Sequence, residues 1–241
     1  MQLKTWLGDL KRFGRGDINW FIIWVGIYLG FLTLDIFYPD FWIASALLKY
    51  IGIFLCIVYA HHKYNTDYML QLALLFTLLA DTILVWTPHA LPGVYVFSVA
   101  QFLHLMRLTK LPRRSLSIFA ATISLFFAIT VAFGLTPIYA IATVYGLELI
   151  CDVVMATKNY RANRKDFRAR CAFYGFTAFI CCDICVAIRF LALNGAIPNT
   201  FTPIIALLVW VFYYPSQVLI ANSSNYEPIK KQKFAKNKSI R

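Results

Sequence analysis

Eight largely apolar stretches of about 20 residues run through the chain, at roughly 18–37, 42–60, 68–87, 91–108, 115–134, 136–157, 170–193 and 203–222. A helix of about 20 residues crosses the roughly 30 Å hydrocarbon core of a bilayer. It also satisfies its own backbone polar groups, as anything lipid-exposed must. The links are short, and Pro39, Pro88, Pro92, Pro137, Pro198 and Pro203 punctuate four of them, as residues that break helices do. Stretches five and six are separated only by Gly134-Leu135-Thr136-Pro137, yet together they are too long for one crossing. The composition agrees: 60% of the chain is apolar or aromatic and 14% is charged, against about 45–50% and 25% in soluble domains. A soluble enzyme, a disordered chain and a nucleic-acid-binding domain are excluded. The pattern predicts an all-α polytopic membrane protein with eight transmembrane helices.

The basic residues orient it. The net charge is +12, from 23 Lys and Arg against 11 Asp and Glu. Lys4, Lys11, Arg12 and Arg15 precede the first stretch, and Lys63 lies between the second and third. Arg107, Lys110, Arg113 and Arg114 lie between the fourth and fifth. Lys158, Arg161, Arg164, Lys165, Arg168 and Arg170 lie between the sixth and seventh, and Lys230, Lys231, Lys233, Lys236, Lys238 and Arg241 follow the eighth. The alternate links contain none, so 21 of the 23 basic residues fall on one side. The positive-inside rule makes that side cytoplasmic and puts both termini there. The expected setting is the cell membrane, with anionic lipid as a partner of the basic face and no nucleic acid. The first stretch is of full span length with no small-residue cleavage site after it, so it reads as a span rather than a signal peptide. Residues 1–222 form one membrane domain. Within residues 1–17, Leu3, Trp6, Leu7, Leu10 and Phe13 recur at helical spacing, which predicts a short interfacial helix. Residues 223–241 read as a basic, disordered tail.

Ionisable groups inside a membrane are costly and mark candidate sites. Asp81 falls in the outer half of the third stretch and Asp183 near the middle of the seventh, each without a basic neighbour three or four residues away. Glu148 lies at similar depth in the sixth, with Asp152 one turn further in. Gln101 and His104 are three apart on the fourth, and Tyr213, Tyr214 and Gln217 lie on the eighth. Several have plainer readings. Asp35 stands near a helix end and is expected to be solvated, and Lys49 to snorkel along its stem. Asp152 is expected either to serve a site or to pair with the basic loop beside it. His104 reads as a hydrogen-bonded core histidine or a functional one, and Tyr213 as packing. Arg189, six residues on from Asp183, reads as an interfacial anchor or a phosphate ligand. Cys56, Cys151, Cys171, Cys181, Cys182 and Cys185 all lie in apolar runs without metal-site spacing and are read as small hydrophobes. No metal or cofactor is implied.

Asp81, Asp183 and Glu148 suggest a shared polar pocket. Two carboxylates in a poorly hydrated site can divide into an acid and a base, which suits a reaction passing through an oxocarbenium ion. The same pair suits a proton-coupled transporter relay, or helix-to-helix adhesion with no ligand. Residue physics alone leaves these open. The chain has no HExxH, GxSxG, P-loop or GxGxxG, so metalloprotease, serine-hydrolase and nucleotide readings have no motif behind them. The third and seventh stretches also echo each other, as Ala80-Asp81-Thr82-Ile83-Leu84 and Cys182-Asp183-Ile184-Cys185-Val186, which predicts two parallel four-helix halves.

The same polar residues carry a resemblance. Leu79-Ala80-Asp81-Thr82-Ile83-Leu84-Val85-Trp86 matches a Gly-Asp followed by an apolar run on a third helix. Phe97-Ser98-Val99-Ala100-Gln101-Phe102-Leu103-His104 matches a Phe-x-x-x-His-x-x-Tyr pattern on a fourth. Phe179-Ile180-Cys181-Cys182-Asp183 followed by Arg189-Phe190 matches Phe-x-x-Ser-Asp with its following basic-Phe pair. Tyr214-Pro215-Ser216-Gln217-Val218-Leu219-Ile220-Ala221 matches a Tyr-x-x-Ala-Gln on the last helix. In order and spacing, over roughly residues 20–222, the chain resembles the YhhN family of integral membrane lysoplasmalogenases. Ala80 stands where the family has Gly, Cys182 where it has Ser, Gln101 where it has His and His104 where it has Tyr. Glutamine cannot titrate, so any acid–base work of that histidine is lost or moves to His104.

The resemblance implies hydrolysis of the vinyl-ether bond of a lysoplasmalogen-type lysolipid to a fatty aldehyde and a glycerophospho-headgroup. It implies Asp81 and Asp183 as catalytic groups. Gln101, His104, Glu148, Arg189, Tyr214 and Gln217 are the expected substrate-binding residues. The alternative is a proton-coupled small-molecule or lipid carrier of the same fold.

Overall fold

A computed structural model describes residues 15–63, 66–87, 90–109, 114–134, 136–196, 198, 200 and 202–223. Eight long helices follow in order: α1 (Arg15–Phe37), α2 (Trp42–Lys63), α3 (Tyr68–Trp86), α4 (Ala90–Thr109), α5 (Arg114–Ala132), α6 (Pro137–Ala162), α7 (Phe167–Leu193) and α8 (Thr202–Asn222). A single 3₁₀ turn, Pro39–Phe41, joins α1 to α2. No strand occurs among the described residues. All except α5 are long and apolar enough to cross a membrane, while α5 holds a shorter apolar stretch, Ser117–Thr130. Ile22, Leu29, Phe54, Leu75 and Ile184 stand exposed around the outside, the surface a bilayer covers rather than water. The fold is that of a multi-pass membrane protein.

The ends have local causes. Asp67 caps α3 by accepting from the Leu70 backbone N–H at 3.2 Å, and Asp166 caps α7 through the Arg168 N–H at 3.0 Å; such caps satisfy the first turn's free N–H groups. Pro137 opens α6, where a missing N–H costs nothing. Gly195 ends α7 at φ 74°. Its N–H reaches Ala192 O at 3.1 Å while that of Ala196 reaches Leu191 O at 2.9 Å, the paired bonds of a Schellman end that glycine permits.

All eight expected helices recur, with small corrections to their ends, but seven rather than eight are long and apolar enough among the described residues to cross a membrane. Helix α6 continues to Ala162 and α7 starts at Phe167, so the basic link between them shrinks to four residues, and Lys158, Arg161, Arg168 and Arg170 ride on helix ends. Arg15–Asp17, expected in an interfacial segment, belong to α1. Residues 1–14 and 224–241, the rest of that segment and nearly all of the expected tail, lie outside the described residues.

The packing has a repeat. Helix α3 lies along α4 as α7 lies along α8, and α1 and α2 pair as α5 and α6 do. Helix α2 packs on α3 and α8, and α6 packs on the corresponding α7 and α4. Every major pairing therefore returns after a shift of four helices, as two parallel halves require. In it Asp81 corresponds to Asp183. The core between the halves is aromatic: Phe176 and Phe179 of α7 and Tyr213 and Tyr214 of α8 are nearly fully buried, with Phe31 and Tyr59 beside them.

Gly175 sets how close α7 and α8 come. A Cβ there would meet the Ile220 side chain at 2.9 Å, and the Ile220 N and Ser216 O at 3.2 Å. Backbone cannot step aside as a side chain can. Gly175→Val is therefore expected to lower stability by about 1–3 kcal/mol, the usual cost of overpacking, read as a lower thermal midpoint of the purified protein in detergent.

Candidate functional site

The two intramembrane aspartates each meet a tyrosine from a different helix. Asp81 of α3 is buried, and its Oδ2 accepts a hydrogen bond from the Tyr213 hydroxyl of α8 at 2.6 Å. Its backbone carbonyl accepts from the Tyr50 hydroxyl of α2 at 2.9 Å. Asp183 of α7, partly buried, accepts a hydrogen bond at Oδ2 from the Tyr145 hydroxyl of α6. The repeat runs through these contacts: Tyr50 stands on α2 to Asp81 as Tyr145 stands on α6 to Asp183. The tyrosines of the two carboxylates are joined through a single ring, Phe97 of α4, which both of them meet.

One aromatic group closes that site. The Phe97 ring of α4 lies 6.0 Å from Tyr145, 6.2 Å from Phe179 and 6.4 Å from Tyr213, and Phe179 lies 5.6 Å from Tyr213. Tyr213 thus does more than pack: it ties Asp81 to the core and completes the aromatic wall between the carboxylates. Beside Asp81 a cavity of about 10 Å³ is lined by Ala46, Lys49, Tyr50, Ile53, Asp81 and Trp210, about the space one water needs.

Lys49 and Asp35 contradict their expected solvation. The Lys49 ammonium lies 2.7 Å from Asp35 Oδ2, their side chains being 11% and 22% exposed. It stands 4.5 Å from the Trp210 ring centre and 5.4 Å from that of Phe31. Ser45 donates to the second Asp35 oxygen at 2.5 Å. The lysine does not snorkel because a carboxylate and two ring faces hold it within the bundle.

A second group of polar side chains lies on the other side of Phe97. The Ser98 hydroxyl donates to Glu148 Oε2 at 2.7 Å. Asp152, Gln101, His104, Gln217 and Thr77 are all fully buried, and their side-chain polar atoms have no hydrogen-bond partner. The His104 ring meets Phe176 edge-on at 5.2 Å, and no protein group among the described residues hydrogen-bonds either of its nitrogens. Neither Asp152 oxygen has a hydrogen-bond partner among the described residues, so it is not paired with the basic link beside its own helix.

Tyr214 points to another part of the core. It stacks on Tyr28 at 5.6 Å, meets Phe31 at 5.3 Å and fills the space beside Gly52. Arg189 is exposed. Six residues on a helix turn through about 600°, which leaves it on a different face from Asp183.

Sequence reasoning did not single out Tyr145, Tyr50, Ser98 or Thr77. Tyrosine and serine are ordinary packing residues in a span, so type alone gives no signal. Spacing did offer one for Tyr145 and Glu148, three apart on the same face of α6. Among the described residues no cluster of three or more His, Cys, Asp or Glu could hold a metal ion, and all six cysteines are free thiols.

The family model named YhhN family matches residues 43–224, most of the chain and every residue of the two tyrosine-capped carboxylates. No curated protein and no solved structure matches the chain.

Proposed function

We propose a function from one premise: the chain belongs to the YhhN family. It is a membrane hydrolase that cleaves the vinyl-ether bond of lysoplasmalogen-type lysolipids. The observation that carries this reading is the pair of intramembrane carboxylates, Asp81 and Asp183, each hydrogen-bonded by a tyrosine, the two tyrosines meeting one ring, Phe97. The family's association with hydrolases supports it.

Asp183, in its acid form, delivers a proton to the alkenyl carbon remote from the ether oxygen. The double bond's electrons form the new C–H bond and leave an oxocarbenium ion. Asp81, beside the water-sized cavity, takes a proton from water as its oxygen adds to the cationic carbon. The hemiacetal then collapses: Asp81 gives its proton to the glycerol oxygen as that C–O bond breaks, and the hemiacetal hydroxyl gives its proton to Asp183 as the carbonyl forms, so both carboxyl groups return to their starting states. One vinyl ether and one water give one fatty aldehyde and one glycerophospho-alcohol. General acid–base catalysis of this kind is worth about 10²–10⁴-fold. The tyrosines hold the carboxyl groups in place. The basic links face the cytoplasm of the cell membrane, with both termini inside.

The test is a substrate panel. Purified protein in nanodiscs is expected to release aldehyde from a 1-alkenyl lysophospholipid and not from its 1-alkyl analogue, which has no double bond to protonate. Equal turnover of both, or of neither, sinks the reading. pH-dependent lipid movement between liposomes without product would instead favour a carrier.

A further inference from the structure

Four contacts around Phe97 fix the level of the carboxylate site: Asp81 on α3, Phe97 on α4, Phe179 on α7 and Tyr213 on α8 meet one another. One helical turn from each, toward the end of the bundle that carries the basic links, stand Thr77 (four before Asp81), Gln101 (four after Phe97), Phe176 (three before Phe179) and Gln217 (four after Tyr213). Residues three or four apart share a helix face, so these form a second layer directly beneath the first. His104 is in it through its ring contact with Phe176. Asp152 joins it from α6, one turn from the Glu148 that Ser98 of α4 holds. Gln101 and Gln217 each stand four residues beyond a ring of this cluster, Phe97 and Tyr213, on the helices that the packing repeat pairs.

Both ends of both glutamines, both His104 nitrogens, both Asp152 oxygens and the Thr77 hydroxyl lack a hydrogen-bond partner, and all five residues are at 0% exposure. A buried polar group without a partner costs about 1–3 kcal/mol, and native interiors leave very few. So many together, from four helices, require an occupant that both donates and accepts and is small enough for side chains this closely packed. Water is that occupant, typically making about three hydrogen bonds at such sites. The layer ends at Arg107, whose guanidinium donates to the Ser223 hydroxyl at 3.0 Å and backbone carbonyl at 3.2 Å and stands 3.7 Å from Asp67. Its Nε lacks a partner, and Arg107 stands three residues beyond His104 on the same face of α4.

We propose that Thr77, Gln101, His104, Asp152 and Gln217 line a water-filled chamber joining the carboxylate pair to the basic-link end of the bundle, closed there by Arg107. The chamber stands on the burial and register of these residues. Its use, supplying the hydrolytic water, rests on the hydrolase reading above. Gln101, Gln217 and His104 then hold water rather than lysolipid.

X-ray hydroxyl-radical footprinting of the full chain in nanodiscs, with H₂¹⁸O exchange and mass spectrometry, tests the chamber without reference to activity. Radicals form from water at the spot, so His104 and Phe176 are expected to be labelled despite their burial. Cys56, equally buried in the apolar core and intrinsically more reactive, is the control and stays unlabelled. Gln101→Leu together with Gln217→Leu is expected to bring His104 labelling down to the Cys56 level. Should that variant fail to fold, Thr77→Val is read the same way. Labelling of His104 and Phe176 no greater than that of Cys56 in the native chain overturns the chamber. In active protein the double variant is expected to lower kcat by about tenfold, the size of one lost hydrogen bond, with KM unchanged. A raised KM at unchanged kcat overturns the supply role. A native chain that releases no aldehyde yet labels His104 retains the chamber and loses only the hydrolase reading.

Discussion

Asp81→Asn and Asp183→Asn are each expected to abolish aldehyde release from a 1-alkenyl lysophospholipid while leaving the fold intact. Asparagine has the shape of aspartate and keeps an oxygen that accepts from Tyr213 or Tyr145, so the helix contacts at 2.6 Å on Asp81 and at Asp183 persist. What it loses is the exchangeable proton. Removing the acid leaves the alkenyl carbon without a donor, and removing the base leaves water without an acceptor. Each loss is expected to cost about 10²–10⁴-fold in kcat, the worth of a positioned proton-transfer group. The double variant should cost little more than the worse single one, because the two groups serve one reaction. Tyr213→Phe is the contrasting case: the carboxylate remains and only its tether goes, so a loss of about tenfold is expected, the size of one hydrogen bond. Turnover with thermal midpoints alongside makes the measurement. An Asn variant that folds and keeps native turnover removes that aspartate from the mechanism.

The membrane architecture was legible because lipid permits few structures. Length and apolarity placed all eight helices within a few residues, and the basic side chains divided the links into two sets. The carboxylates were legible for the same reason, since a charge in hydrocarbon demands an account. Their partners were not. Tyr145 and Tyr213 look like any buried aromatic, and only the crossing of α6 on α7 and of α8 on α3 brings their hydroxyls to Asp183 and Asp81. Lys49 illustrates the opposite error. Its stem suggested escape to an interface, but its partner Asp35 lies fourteen residues earlier, across the α1–α2 turn, where no helical spacing points. The echo between Asp81 and Asp183 was one short match in the sequence. Helix packing extends it to every major pairing, a relation that the identities of the residues on the paired helices conceal.

Lys49→Met is expected to lower stability by stranding a carboxylate inside the bundle. The ammonium and Asp35 are 2.7 Å apart at 11% and 22% exposure, and the lysine also rests on the faces of Trp210 and Phe31. Removing one partner of a fully buried pair costs about 3–5 kcal/mol, because the other charge remains without compensation. The residual exposure here discounts that to about 2 kcal/mol, or roughly 4–8 °C in thermal midpoint for a chain of this size. Methionine keeps the length of the stem, so the loss reads the charge rather than a cavity. Adding Asp35→Asn to Lys49→Met removes the stranded carboxylate while its Ser45 hydrogen bond can persist. The double variant is therefore expected to be more stable than Lys49→Met alone, the coupling that a double-mutant cycle isolates. Additive losses from the two substitutions would mean that the pair does not interact in the folded protein. Because Lys49 and Asp81 line the same small cavity, the cycle also separates two roles for the lysine. A stability loss that Asp35→Asn rescues, with turnover rescued in parallel, makes Lys49 a structural wall of the site. Rescued stability with turnover still lost makes its ammonium part of the chemistry beside Asp81.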